Sequence, residues 1–148
     1  MARTYTVDAS VFLNAFNPLE VGHGESQRLL ALMQDQALPI IVPALLLPEV
    51  AGAIARGRRD AELARRFATA VSRLPHLVIV PLDASLAHPA VEVAAGHGLR
   101  GSDAVYAAVA LRFGSILVTL DREQRERVLD LIPVHWPAEA LADLESGV

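Results

Sequence analysis

The chain has 148 residues, 53% of them hydrophobic, and a formal net charge of −4. That length fits one compact domain able to bury roughly two thirds of its unfolded surface without a disulfide or structural metal. Cysteine is absent, which excludes disulfide scaffolds and thiolate zinc sites. The five histidines (His23, His76, His88, His97, His135) form no HxH or HxxxH pair, so a zinc hydrolase is disfavoured. All 13 basic residues are arginine, which removes every mechanism that needs a lysine, and the negative balance leaves only local patches to attract nucleic acid. The amino-terminal "MARTYTVD" lacks the apolar core of a secretory signal, and no apolar run approaches the ~20 residues that span a bilayer. A cytoplasmic protein without a membrane segment is the expectation.

In chain order, "TYTV" (4–7) reads as a strand that ends on Asp8 and passes at once into a helix. Leu29, Leu30, Leu32 and Met33 mark the next helix, and "LPIIV" (38–42) a second strand. "LLLPEVAGAIA" (45–55) is helical, as is "AELARRFATAVSRL" (61–74), where Leu63, Phe67, Ala70, Val71 and Leu74 share a face and Arg65, Arg66 and Arg73 point elsewhere. "HLVIV" (76–80) is a third strand, followed by helices over 84–97 and 102–113. "SILV" (115–118), a helix over 122–129 and a weaker strand at "LIPVH" (131–135) complete the alternation. The terminal "AEALADLESGV" either forms a helix or frays.

Strands that alternate with helices and read as continuous apolar runs imply a parallel sheet covered on both faces. The expected fold is α/β, a three-layer α/β/α sandwich around a central, mostly parallel sheet. The Gly- and Pro-containing stretches are short, so residues 1–148 read as a single domain.

Ligands of such sheets gather beyond the carboxyl ends of the strands. Asp8, Asp83 and Asp121 each follow a strand, Asp103 lies in the first turn of the helix after Ser102, and Glu49 sits inside a helix between apolar neighbours. Each has a plain alternative. Asp121 could cap "REQRERV", because Gln124 gives capping-box spacing; Asp8, Asp83 and Asp103 could serve caps or helix dipoles; Glu49 could face solvent. Together, carboxylates at one sheet edge repel each other unless a cation neutralises them, and an all-oxygen set suits Mg²⁺ or Mn²⁺, the ions of phosphate chemistry.

With "VDASVFLNAF", "PALLLPEVAGAI", "LRGSDAVYAAVA" and "ILVTLDREQ" in this order, residues from about 4 to 135 resemble PIN domains, in particular the VapC-type ribonuclease toxins. The resemblance implies an Mg²⁺-dependent endoribonuclease (Mn²⁺ able to substitute), a cognate antitoxin partner lying across the active-site groove, and a homodimer. It maps Asp8, Glu49, Asp103 and Asp121 onto the family's acidic quartet. Asp8 and Asp103 would be the main metal ligands and Asp121 a direct or water-mediated one. Glu49 would orient or deprotonate the attacking water or complete a second metal position. Ser10 and Thr119 match hydroxyls that hold the acids in place. The products would carry a 5′-phosphate and a 3′-hydroxyl.

One departure concerns Pro48, which precedes Glu49 inside the predicted helix and costs about 3 kcal/mol in a helix interior; the helix either starts near it or kinks there. RNA approaching an acidic centre needs positive charge, and Arg100 and Arg122 (beside Asp103 and Asp121) with Arg56, Arg58 and Arg59 of "ARGRRD" are the candidates. The "RGRR" loop could instead dock an acidic antitoxin stretch. Arg65 and Arg66 read better as a solvated helix face, Tyr106 as core, and Trp136 as a possible stacking surface. Two other readings are a PIN-like binding module without turnover and a haloacid-dehalogenase-like phosphatase with Asp8 as nucleophile. The second expects an acid where Ser10 stands and a lysine; the missing lysine also weighs against a phospho-acceptor receiver domain.

Overall fold

The structure, a computed structural model, describes residues 3–147; the first two residues and the last of the terminal segment lie outside the described residues. The elements in order are β1 (Tyr5–Val7), α1 (Ala9–Phe16), α2 (His23–Asp35), β2 (Ile40–Pro43), α3 (Leu46–Arg58), α4 (Ala61–Ser72), β3 (Leu77–Val80), α5 (Ala84–His97), α6 (Gly101–Phe113), β4 (Ile116–Val118), α7 (Arg122–Val128), β5 (Val134–His135) and α8 (Pro137–Glu145). Every apolar run read as a strand is one, and the terminal segment forms a helix.

All five strands pair in parallel, in the spatial order β3-β2-β1-β4-β5. Register is set by pairs such as Val7↔Val118 and Ile41↔Val78. Side chains of successive strand residues point to opposite faces, so β2 feeds two cores. Ile40 and Val42 join the larger one, with Phe12 of α1, Leu29 and Met33 of α2, Val50 of α3 and Leu141 of α8. Ile41 joins Val80, Leu86 and Ala90 of α5, and Val105, Ala108 and Val109 of α6. Helices thus cover both faces and complete the three layers. Among the described residues no helix is long and apolar enough to cross a membrane.

Two prolines are accommodated differently. Pro48 does not break α3: the helix begins at Leu46, so Pro48 lies in the first turn, where a backbone N–H has no intrahelical partner to lose. The first helical bond around it runs from Glu49 N to the Leu45 carbonyl, 3.2 Å. Pro89 lies deeper, inside α5, and deprives the Ser85 carbonyl four residues earlier of its donor. The Arg112 guanidinium, arriving from α6, donates to that carbonyl instead.

Candidate active site

The strand order reverses direction at β1: from it the chain goes to β2 on one side, and later to β4 on the other. This is the topological switch point of an open α/β sheet, where the loops part and leave a crevice. Asp8 leaves β1 there and Asp121 leaves β4 beside it. Glu49, in the first turn of α3 after β2, and Asp103, in the first turn of α6, complete the walls. The four acids line one cleft of about 380 Å³, together with Ser10, Ser102, Arg56 and Arg100.

Asp8 is the most enclosed, 7% exposed. Its Oδ2 accepts hydrogen bonds from the Ser10 backbone N–H (3.1 Å) and the Thr119 hydroxyl (3.4 Å). Burial pushes its carboxyl above the usual range; hydrogen bonds from Ser10 and Thr119 oppose the shift and the Asp121 charge adds to it. The fully buried Thr119 also accepts from the Asp121 N–H (3.0 Å). Ser10 acts on the same corner from the other strand, its hydroxyl accepting from the Leu120 N–H at 3.1 Å. Through these two hydroxyls the β1–α1 and β4–α7 corners, over a hundred residues apart in sequence, are stitched into one edge.

Asp121 caps α7 through Oδ1, which accepts from the Gln124 N–H at 3.1 Å, and its Oδ2 accepts from Arg100 Nη2 at the cleft. Asp103 is raised by burial, then by the Asp8 charge, with Arg100 opposing. Glu49 is raised chiefly by burial and further by Asp8 and Asp103, while the Tyr106 hydroxyl lowers it by donating to Oε1 at 2.8 Å. Three mutually repelling carboxyls held above their ordinary range leave a surplus of negative charge that a cation would relieve.

Arg100 meets part of that surplus within the chain. Its Nε lies 3.4 Å from Asp103 Oδ2 and its Nη2 3.3 Å from Asp121 Oδ2. Among the described residues no three acidic or imidazole side chains converge into a ready metal cage. The donor set still fits a hard divalent ion, because Mg²⁺ is held by one or two carboxylates with waters filling its remaining positions.

Of the other candidates, Arg56 lines the cleft. Arg58 lies over the Phe16 ring, 5.7 Å from its centre, beside a neighbouring depression. Arg59 ends α3 in the left-handed region, φ 51°. Arg122 is not among the residues that line the cleft and pairs with Glu126 one turn along α7 at 3.2 Å. Arg65 and Arg66 are exposed on α4. Asp83 is a cap, accepting from the Leu86 N–H and the Ser85 hydroxyl; that hydroxyl lowers its carboxyl. Its strand β3 lies two places from β1, about 10 Å at ordinary strand spacing, so Asp83 shares the sheet edge and not the cleft. Trp136 is covered by the Arg125 guanidinium, 4.7 Å from the ring centre. Tyr106 is fully buried, as its apolar neighbours imply, but its hydroxyl also holds Glu49. The signal for that second role was its place three residues after Asp103, on the same face of α6.

A family model described as PIN domain matches residues 5–128. The crystal structure of PAE2754 from Pyrobaculum aerophilum is similar at 25% identity and a TM-score of 0.70, over 99% of this chain and 99% of that one. VapC20 of Mycobacterium tuberculosis, described as a sarcin–ricin loop cleaving toxin, shares 21% identity and a TM-score of 0.70 over 83% of this chain and 94% of its own. VapBC2 from Rickettsia felis, bound to a promoter DNA fragment, shares 16% identity and a TM-score of 0.68 over 90% of this chain and 98% of its own. No curated protein matches the sequence. A family model spanning most of the chain, on a five-stranded parallel sheet with four acids at its switch point, places this protein in the PIN domain family.

Proposed function

We propose that the chain is one nuclease domain, an Mg²⁺- or Mn²⁺-dependent endoribonuclease, acting as the toxin of a toxin–antitoxin pair. The observation that carries this reading is the meeting of Asp8, Glu49, Asp103 and Asp121 in one cleft at the switch point. Asp8 and Asp103 are the principal metal ligands and Asp121 assists through Oδ2. A bound divalent ion would supply charge neutralisation at the scissile phosphate and an acidified water. Glu49, held through Oε1 by Tyr106, orients the attacking water and takes its proton. Thr119 and Ser10 fix the two strand corners so that the carboxylates keep their spacing. Arg56 and Arg100 at the cleft wall meet the phosphates on either side of the scissile bond.

The antitoxin partner rests on different ground. Structural neighbours include a toxin–antitoxin complex from Klebsiella pneumoniae and FitAB bound to a DNA fragment. Here an apolar groove lined by Phe12, Leu30, Phe67, Val71 and Leu74 runs between α1, α2 and α4, with the Gln34 amide buried at its side and unpaired among the described residues. A helical antitoxin segment with an apolar face and one free backbone group would satisfy both. A homodimer is the expected assembly of the toxin.

The purified protein should cleave RNA with Mg²⁺ or Mn²⁺ and stop in excess EDTA, and Asp8→Asn or Asp103→Asn should abolish cleavage with the circular dichroism unchanged. Full activity of both variants, or cleavage in EDTA, would refute the mechanism. A PIN-like binding module would retain RNA affinity with no turnover under any metal.

A further inference from the structure

Arg100 stands apart from the other arginines. It is the residue before α6, anchored by the bond from the Ala104 N–H to its carbonyl (2.9 Å), while its side chain is 76% exposed. The backbone is therefore anchored while the guanidinium stands largely in solvent. Its two nitrogens engage the Oδ2 atoms of Asp103 and Asp121, at 3.4 and 3.3 Å, both long for charge-assisted hydrogen bonds. Those two oxygens face the cleft; the other oxygen of Asp121 is committed to capping α7. A cation held jointly by Asp103 and Asp121 through these oxygens must share or take over the atoms that Arg100 holds. Arg56 lines the same cleft without an ion pair to the quartet among the described residues.

We infer that Arg100 is a tethered counter-cation that competes with the divalent ion for Asp103 and Asp121, and so couples metal binding to substrate binding. The inference rests on the metal-dependent nuclease reading above. Without RNA, Arg100 neutralises the two aspartates and lowers the affinity of the cleft for metal. An RNA phosphate offers the guanidinium a stronger bidentate partner in the groove. Drawing Arg100 off the aspartates clears their Oδ2 atoms for the ion, so substrate and metal each tighten the binding of the other by the same factor, as linkage requires. The chain thereby avoids holding a metal-charged cleft without substrate. Arg100 is in this sense a positioning residue: it acts through the occupancy of the carboxylates.

The test is calorimetric titration of Mn²⁺ into the intact wild-type protein, Arg100→Gln and Arg56→Gln, each with and without a saturating oligonucleotide made non-cleavable by a methylene group in place of the bridging 3′-oxygen. Without the oligonucleotide, Arg100→Gln should bind Mn²⁺ about fivefold more tightly than wild type, the lower end of the coupling usual between linked sites. Arg56→Gln, which removes the same charge from the same cleft wall, should change the affinity by less than twofold. The oligonucleotide should tighten Mn²⁺ binding in wild type and Arg56→Gln and leave Arg100→Gln unchanged. Equal Mn²⁺ affinity in wild type and Arg100→Gln, or an equal gain in both arginine variants, would overturn the inference while the nuclease reading stands. Failure of all three proteins to bind Mn²⁺, with or without oligonucleotide, would overturn both.

Discussion

Asp8→Asn should make the metal-free protein more stable while destroying its activity. Asp8 is 7% exposed, and burial raises its carboxyl above the ordinary aspartate range. A carboxyl raised in the folded state contributes stability that is fully present below its unfolded pKa and is lost as pH rises through the folded one. As pH rises through the folded-state range that contribution is lost, and the fold then carries an enclosed carboxylate beside Asp121. Asparagine keeps the acceptor oxygen for the Ser10 N–H and the Thr119 hydroxyl and removes the charge. A buried polar group lacking its full set of partners costs about 1–3 kcal/mol, more when charged. With both hydrogen bonds kept, a gain of about 1–2 kcal/mol follows, or a Tm higher by roughly 2–8 °C in a domain of this size. Differential scanning calorimetry in EDTA across a pH series measures it, the gain standing at the alkaline end. The gap should close as pH falls toward the carboxyl range, because wild type then protonates and recovers the lost stability. Saturating Mg²⁺ should raise the Tm of wild type and not of the variant. A variant that melts at or below wild type at every pH of the series in EDTA, or a gap that widens on acidification, would refute the electrostatic argument.

Three further substitutions separate the roles within the cleft. Tyr106→Phe removes the donor to Glu49 Oε1 and keeps the ring in the core; losing one hydrogen bond of about 0.5–1.5 kcal/mol should lower kcat roughly two- to twelvefold, with KM unchanged in steady-state assays. Thr119→Val strips Asp8 of one donor and leaves the Asp121 N–H unpaired, costing about 1–3 kcal/mol in denaturant titration and weakening Mn²⁺ binding as the two corners separate. Asp83→Ala removes a cap of α5 and nothing from the cleft, so the midpoint of denaturant titration should fall with RNA cleavage unaltered.

The strands were legible because each is a short apolar run that leads into a helix, and the central strands are buried on both faces. The hydroxyl network was legible only by resemblance, since nothing in "DAS" or "VTLD" says that Ser10 receives the Leu120 N–H across two strands. The arginines show what adjacency in sequence leaves open. Arg100 and Arg122 both neighbour a cleft acid, yet Arg100 spans two aspartates while Arg122 pairs with Glu126 along α7. Arg100 precedes α6 and reaches Asp103 one turn on, a contact that depends on the helix and on β4 bringing Asp121 alongside.

Asp8, Asp83 and Asp121 pose the same problem in its sharpest form. Each ends a parallel strand and begins a helix, and each accepts a hydrogen bond from a backbone N–H of that helix. Local chemistry therefore treats all three as N-caps and cannot rank them. What separates them is strand order: β1 and β4 are adjacent at the switch point, and β3 is the outer strand on the far side of β2. An N-cap aspartate has a second oxygen to spare, and its use depends on what the neighbouring strand brings beside it. At Asp121 the spare Oδ2 meets Arg100 and the quartet. At Asp83 the carboxylate has only Ser85 and the start of its own helix. Membership of the cleft is thus a property of topology acting on a repeated local motif, which is why cleavage should respond to Asp8 and ignore Asp83.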